Sequence, residues 1–201
     1  MDAISELFST TIKIFALMTP PAVLSAFLGG TRSYDKERKR RTALRTGSAV
    51  FIISVILYLL GEKIFGVFGF TLDAFRIGAG ALLFLTAVSL MNEKPADQTA
   101  MVHDDDDISV VPLAIPLCMG PASIGTVMVW GASAITFTEK AMGVLSLFIA
   151  SSGIYVMLRF ADKTAKVLKR TGLLVLSKLT GLLLAAIAAQ VIFTGVGSFL
   201  K

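Results

Sequence analysis

The sequence has few charged residues, and long stretches have none. Asp, Glu, Lys and Arg make up 16% of the 201 residues, against about 25% in ordinary soluble domains, while 55% of the residues are hydrophobic. None of these four residue types occurs in 108–138, 141–158 or 179–200. Because about 20 apolar residues cross a bilayer, this pattern excludes a soluble domain. It predicts a chain that lies almost entirely in a membrane.

Residues that build disulfides, metal centres and active sites are also scarce. A single cysteine, Cys118, and a single histidine, His103, exclude an intrachain disulfide and a zinc site. Phosphate-loop and zinc-protease motifs are missing, as is a pair of carboxylates within the apolar runs. We therefore expect no enzymatic activity, no metal and no cofactor. The run Asp104–Asp107 leaves a calcium or magnesium site as an alternative. It lacks the spaced, glycine-turned pattern of a calcium loop, which favours a solvated linker.

The apolar runs predict an all-α membrane protein with six transmembrane helices. These spans are 6–29, 47–67, 74–91, 108–137, 141–159 and 172–200. Most of the 19 Lys and Arg residues fall in the first connection, Arg32 to Arg45, and the fifth, Arg159 to Arg170. The positive-inside rule places that side in the cytoplasm and both termini outside. The same rule accounts for the net charge of +5 without a nucleic-acid partner.

The first half of the chain resembles the second. Leu17–Leu24 aligns with Leu117–Ile124, each position 100 residues later, and both segments carry a helix-breaking dipeptide. Composition alone produces short similarities between apolar helices, so the matched breaks are the stronger sign. Since each half holds three spans, the halves have opposite orientations, which is the pattern of an inverted repeat. We predict one transmembrane domain, 1–201, with a first repeat 1–91, an acidic cytoplasmic linker 92–107 and a second, inverted repeat 108–201.

The two breaks predict a binding site near the bilayer midplane. Proline removes a helical hydrogen bond, and irregular backbone at membrane depth survives only within protein or beside a wet cavity. Counting residues at 1.5 Å each places Pro20-Pro21 and Gly120-Pro121 on opposite sides of the midplane, with roughly 10 Å of depth between them. The alternative is a purely structural kink, which is our interpretation of Pro112 and Pro116.

A zwitterion would be held at both ends in such a gap. The half-helices that start at the breaks would direct free N–H groups toward a carboxylate, and the carbonyls that precede them would accept hydrogen bonds from an ammonium group. The predicted substrate-binding residues are Thr19, Pro20, Pro21, Ala22, Met119, Gly120, Pro121, Ala122 and Ser123.

Four further polar residues are candidates for the pathway or for gating: Lys13, Arg76, Lys178 and Gln190. Lys13 lies about two turns into the first span and marks a wet face. Arg76 and Lys178 fit interfacial cations that snorkel better than substrate ligands. For Gln190, a hydrogen bond across helices and contact with solute are equally supported.

These residues carry a resemblance to a known family. Val111–Leu117 leading into Gly120-Pro121, Phe75–Leu85 and Gly181–Gly195 are similar to the MarC family of bacterial inner-membrane proteins, and the resemblance covers essentially the whole chain. That family includes the archaeal neutral amino acid transporter SnatA and is grouped with the LysE exporter superfamily. The resemblance implies six spans, the bacterial inner membrane and neutral amino acid transport. The family's Asn-Pro-x-Gly-x-x-Pro motif is altered here at Thr19–Ser25, and its Gly-Pro-Gly is Gly120–Ala122, which puts the substrate in question.

The prediction is a secondary transporter of small neutral or zwitterionic solutes, such as glycine or alanine, that works by alternating access. Its partners are the lipid bilayer and the solute, and its faces of small residues are compatible with a homo-oligomer. One alternative is an exporter or flippase of an amphipathic molecule, which would have a polar groove facing lipid. Another is a non-transporting scaffold, which would have a dry, closed interior.

Overall fold

The computed structural model of the protein describes residues 3–69, 71–92 and 108–200, and every regular element in these ranges is helical. The helices are α1 (Ala3–Leu17), α2 (Pro20–Gly30), α3 (Lys36–Phe68), α4 (Leu72–Asn92), α5 (Pro121–Ser133), α6 (Phe137–Arg159) and α7 (Ala161–Phe199). A broader helical turn, here called the wide segment, covers Ser109–Cys118 and precedes α5. The predicted all-helical architecture is confirmed. The predicted acidic linker, with His103 and the aspartate run, lies outside the described residues apart from Asn92.

The described helices give four to six candidate membrane spans. Four are long and apolar enough to cross a bilayer as single helices: Lys36–Gly61, Leu72–Asn92, Phe137–Arg159 and Thr171–Ser198. Two bent pairs also qualify if each pair is one span. Ser5–Leu17 meets α2 at 46°, and the wide segment meets α5 at 70°. The bends coincide with the predicted breaks.

The two basic connections are more helical than the charge pattern suggests. α3 begins at Lys36 and α7 begins at Ala161, so most of the basic residues lie in helices. Lys and Arg are good helix formers, and the first turns of α3 extend beyond the apolar span for this reason. The Lys39 ammonium lies 3.1 Å from the Asp162 carboxylate. This contact places both basic regions at one end of the molecule, called the basic end below.

α4 and α7 pack closely through glycines. An added Cβ at Gly80 would lie 3.2 Å from the Ala188 carbonyl oxygen, and one at Gly181 would lie 3.1 Å from the Ala87 carbonyl oxygen. The contact positions fall along α4 as they rise along α7, so the two helices are antiparallel. The second contact repeats the first with each residue 101 positions later or earlier. Glycine therefore serves as the small residue that lets these backbones meet.

The core lies where the broken spans meet the other helices, and large apolar side chains also cover the outside. Phe27, Leu24 and Leu113 are almost fully buried, whereas Phe193 is 74% and Leu85 64% exposed. Exposed apolar surface of this kind is unfavourable in water and neutral in hydrocarbon. The surface is that of a protein surrounded by lipid.

Candidate functional site

The first break is a sharp turn at Met18 and Thr19. Proline disfavours a helical conformation in the residue before it, and Pro20 follows Thr19 directly. Thr19 has φ 45° and ψ 58°, the left-handed conformation, which costs on the order of 1–2 kcal/mol for a residue with a Cβ. A β-branched residue in this conformation is a strained position held by its surroundings.

The second break extends over a longer stretch. Val111 and Ile115 are extended, with φ of −121° and −129°, and each precedes a proline, Pro112 or Pro116. The wide segment is therefore held by hydrogen bonds to the carbonyl five residues back, at 3.2 and 2.9 Å. The structural kinks predicted at the two prolines are present, with Val111 and Ile115 as their non-helical residues. They leave the wide segment irregular before α5 begins.

Each break donates a hydroxyl hydrogen bond to the other. Thr19 Oγ1 donates to the Leu117 carbonyl at 3.2 Å, and Ser123 Oγ donates to the Leu17 carbonyl at 2.8 Å. Leu17 and Leu117 are equivalent in the sequence repeat, and each carbonyl lies where the helix break removes its backbone hydrogen-bond donor. The expected gap of roughly 10 Å is wrong, because the two breaks are in direct contact. The side-chain hydroxyls supply the hydrogen bonds that the interrupted helices cannot give to these carbonyls, so the breaks need no cavity between them.

The first turns of α2 and α5, which begin at the two breaks, differ in whether their backbone amides are hydrogen-bonded. Pro20 and Pro21 have no N–H, and the next two amides of α2 donate to the Thr19 carbonyl at 3.0 and 3.2 Å. The expectation of free amides at α2 is therefore wrong. At α5, the Ile124 amide donates to the Gly120 carbonyl at 2.9 Å. In the described part of the chain, the amides of Ala122 and Ser123 have no carbonyl acceptor.

The structure brings the nine predicted substrate-binding residues together. Seven are buried: Thr19, Pro20, Pro21, Ala22, Met119, Ala122 and Ser123. Gly120 is half-buried and Pro121 is exposed.

A polar pocket opens at the end of the molecule opposite the basic end. It has a volume of about 500 Å³ between the first turns of α1 and α6 and the neighbouring parts of α3 and α5. Its lining includes Glu6, Lys13, Trp130, Glu139 and Ser146, and it reaches Ile14, whose carbonyl accepts a hydrogen bond from the Met18 amide at the first break. The pocket therefore extends from one end of the molecule toward the first break.

At the basic end, side chains join α3 to the wide segment. A cleft of about 420 Å³ lies at the surface, lined by charged residues of the first turns of α3 such as Arg38 and Arg45. Directly after Arg45, the buried Thr46 Oγ1 donates to the Ser109 carbonyl at 3.0 Å. Thr46 and Ile108 are buried, so the helices meet directly at this depth.

The four pathway candidates have different surroundings. Lys13 lines the polar pocket. Arg76 donates to Asp73 at 2.7 Å and to Ser133 Oγ, a pocket residue, at 2.7 Å. Lys178 and Gln190 are exposed on α7. Arg76 and Lys178 are thus unlike in environment.

Among the residues that line the pocket, sequence reasoning had singled out only Lys13, and it missed Trp130, Glu139 and Ser146 among others. Trp130, Glu139 and Ser146 lie at the end of α5 and in the first turns of α6. Glu139 is visible in the sequence as the N3 residue of a capping box whose N-cap is Thr136. A serine in an apolar helix gives no comparable signal.

The chain is similar to integral membrane proteins from bacteria and archaea. Residues 4–200 match the sequence model of the MarC family of integral membrane proteins. A UPF0056 membrane protein of Aquifex aeolicus is 31% identical over 196 residues, covering 94% of this chain and 92% of that protein. UPF0056 membrane protein YhcE of Escherichia coli is 31% identical over 198 residues, covering 94% and 91%. One from Methanocaldococcus jannaschii is 32% identical over 192 residues, covering 92% of each. No solved structure matches the chain.

Proposed function

Because the chain belongs to the MarC family of integral membrane proteins, we propose that it is a secondary transporter rather than an enzyme. Its cargo is a small neutral or zwitterionic solute such as glycine or alanine, moved by alternating access. The observation that carries the proposal is the pair of breaks joined by the two hydroxyl bonds. Discontinuous helices that meet between two halves of a chain are typical of secondary transporters.

Inverted repeats are part of this proposal. The antiparallel α4 and α7, with glycine contacts repeated 101 residues apart, support two halves of opposite orientation. The breaks at equivalent positions support the same relation. With the basic end in the cytoplasm, the termini and the polar pocket face the outside of the bacterial inner membrane.

The difference between the two ends of the molecule fits one state of a transport cycle. The polar pocket is open toward the first break, whereas Thr46 and Ser109 close the path from the basic end. In the alternate state we expect the Thr46 bond to break and the pocket to close. The breaks have to separate as well, since solute cannot pass between groups that are hydrogen-bonded to each other.

One observation favours the second candidate, an exporter or flippase of an amphipathic molecule. A groove of about 170 Å³ runs between α3 and α6, lined by Ser48, Ser151 and Tyr155 and by the exposed Phe148. Polar groups there would face lipid. The contact between the breaks is what a non-transporting scaffold would have, but an open polar pocket is not.

The test is exchange of radiolabelled glycine and alanine in proteoliposomes, with and without a pH gradient. The parent is compared with Gly120→Leu, because a Cβ there would already lie 3.0 Å from the Pro116 carbonyl. Gly78→Leu is the matched control, since Gly78 is exposed with no neighbour within 4 Å. Saturable exchange that Gly120→Leu alone abolishes is the expected result. Exchange that is absent from the parent would remove amino acids and leave amphipathic cargo to be tested next.

A further inference from the structure

We propose that the groove between α3 and α6 holds one anionic phospholipid of the leaflet at the basic end, with Arg40 and Arg159 binding its phosphate. Three groove hydroxyls, those of Ser48, Ser152 and Tyr155, would face the ester groups of the same lipid. The site lies on the outer surface of the molecule and shares no residue with the polar pocket. It concerns the lipid around the protein, so it does not depend on which solute is transported.

The groove has a closed floor and apolar walls. An added Cβ at Gly47 of α3 would lie 2.8 Å from the Tyr155 Cβ of α6, so the two helices are in contact beneath the groove. The rings of Phe51 and Phe148 meet edge to face, with their centroids 5.4 Å apart. Leu44 and Phe148 expose about half of their surface toward the membrane. A molecule in this groove therefore touches apolar side chains and stays on the lipid-facing surface.

Three hydroxyl groups interrupt this apolar surface. Ser48 is exposed, and Ser152 and Tyr155 are half-buried. Among the described residues, none of the three hydroxyls has a hydrogen-bond partner. A hydroxyl that faces hydrocarbon without an acceptor is costly. The ester carbonyls of a phospholipid are acceptors that the bilayer supplies where its headgroups meet the hydrocarbon.

Two arginines continue the groove toward the basic end. Arg40 is one turn before Leu44 on α3, and Arg159 is one turn after Tyr155 on α6, so each lies on the groove side of its helix. Both arginines are exposed. Guanidinium groups bind phosphate oxygens with paired hydrogen bonds, and basic sites between transmembrane helices bind anionic headgroups. The charge and its position therefore fit a phospholipid whose body lies in the groove.

Both arginines have the capacity for such a ligand. Neither Arg40 nor Arg159 forms an ion pair with a residue in the described ranges. The carboxylate of Glu37, which precedes Arg40 by about one turn, is paired with Arg41 at 2.6 Å. The Arg159 guanidinium lies 5.7 Å from the centroid of the Phe160 ring, a contact that leaves its N–H groups available to an anion.

The two arginines also lie at similar heights. Taking the contact of Gly47 with Tyr155 as the reference level, Arg40 is about 10 Å and Arg159 about 6 Å closer to the basic end, at 1.5 Å per residue. Long side chains can span the difference of about 4 Å. The three hydroxyls belong to residues within about 5 Å of the reference level. They are thus deeper than the arginines by roughly the thickness of a headgroup layer, about 5–7 Å.

Native mass spectrometry of the purified full-length protein in detergent would count bound lipids directly. We would titrate the protein with phosphatidylglycerol and with phosphatidylcholine that carry identical acyl chains. One phosphatidylglycerol should bind with a Kd at least tenfold lower than that of phosphatidylcholine, because its headgroup has no opposing positive charge. Glycerol 3-phosphate, which has the phosphate but no acyl chains, should not displace it at equal concentration.

Variants then assign the contacts. Arg40→Gln and Arg159→Gln should each raise the Kd for phosphatidylglycerol at least fivefold. Arg32→Gln is the matched control, since it removes the same charge from an exposed residue between α2 and α3 that does not line the groove. Ser48→Trp should block binding by filling the groove at unchanged charge, and Tyr155→Phe should weaken binding several-fold. Unchanged elution in size exclusion and an unchanged unfolding midpoint are the checks on folding.

Four results would overturn the site. They are equal Kd values for the two lipids, displacement by glycerol 3-phosphate at equal concentration, a loss in Arg32→Gln as large as in Arg40→Gln, and unchanged binding in Ser48→Trp. Movement of labelled phosphatidylglycerol between leaflets that Ser48→Trp abolishes would make the groove a path for cargo and would also overturn a resident lipid. Lipid binding is measured without a solute, so an absence of glycine exchange would count against transport and leave the lipid site standing.

Discussion

The two broken spans interrupt their helices in different ways. The first turns within two residues, and its Thr19 takes a left-handed conformation at φ 45°. The second spreads the disruption over the wide segment, and its Gly120 has an ordinary φ of −74°. At the start of α2 the backbone amides are absent or already hydrogen-bonded. At the start of α5, the amides of Ala122 and Ser123 have no carbonyl acceptor in the described part of the chain. The first break is therefore the strained one, and the second bends through residues in commonly allowed conformations.

The largest expected effect comes from added volume on the second broken span. A Cβ at Gly131 of α5 would overlap the Tyr58 carbonyl oxygen of α3. Gly131→Ala must push two helices apart, and overpacking of this kind costs about 1–3 kcal/mol or more. We expect a lower unfolding midpoint in detergent and poor expression. Gly78→Ala, at a site with no neighbour within 4 Å, should leave the midpoint unchanged.

Ser123→Ala removes the shorter of the two hydroxyl bonds between the breaks. The Leu17 carbonyl would stay buried without that donor, which costs about 1–3 kcal/mol. The unfolding midpoint should fall, while Ser198→Ala, at an exposed serine of α7, should not change it. A Ser123→Ala protein as stable as the parent would show that the bond contributes nothing to joining the breaks.

Thr19→Val tests the longer of the two hydroxyl bonds, which the first break donates to the second. Valine keeps the shape and the backbone strain of Thr19 but loses the hydroxyl that donates to Leu117. We expect a loss of about 1 kcal/mol, smaller than for Ser123→Ala because the bond is longer. If the order of the two variants in a denaturation series were reversed, the first break would be the more tightly held one.

Thr19→Asn is expected to have the smallest effect on the unfolding free energy, and to raise it rather than lower it. Asparagine adopts the left-handed conformation more readily than threonine and keeps a donor at the break. We expect the unfolding free energy to rise by up to about 1 kcal/mol. The measurement is the same denaturation series, and a loss as large as that of Thr19→Val would show that Thr19 is not strained.

Sequence reasoning predicted the all-helical membrane architecture and the break positions because both depend on local chemistry. Long apolar runs define spans, and proline cannot continue a helix, so α2 and α5 begin at Pro20 and Pro121 as expected. The extended Val111 and Ile115 were also within reach, because each precedes a proline. The kinks expected at Pro112 and Pro116 are present, and these two preceding residues are the non-helical ones.

The contacts between the two halves of the chain could not be predicted from the sequence. Thr19 and Ser123 are ordinary polar residues until the fold places them 3.2 and 2.8 Å from carbonyls about 100 residues away. Counting residues placed the breaks at different depths, since it treated both helices as straight and perpendicular to the membrane. The pocket around Lys13 likewise depends on how α1 lies against α6.

The exchange of hydroxyl bonds also has a consequence for how the protein is made. The first three spans leave the ribosome before Ser123 exists, so the Leu17 carbonyl has to wait for the second half to be synthesised before it gains that partner. The Leu117 carbonyl, in turn, depends on a threonine that is already in the membrane. Neither half can complete its own backbone bonding at the break. The hydrogen bonding at the first break is therefore completed only after α5 has been synthesised.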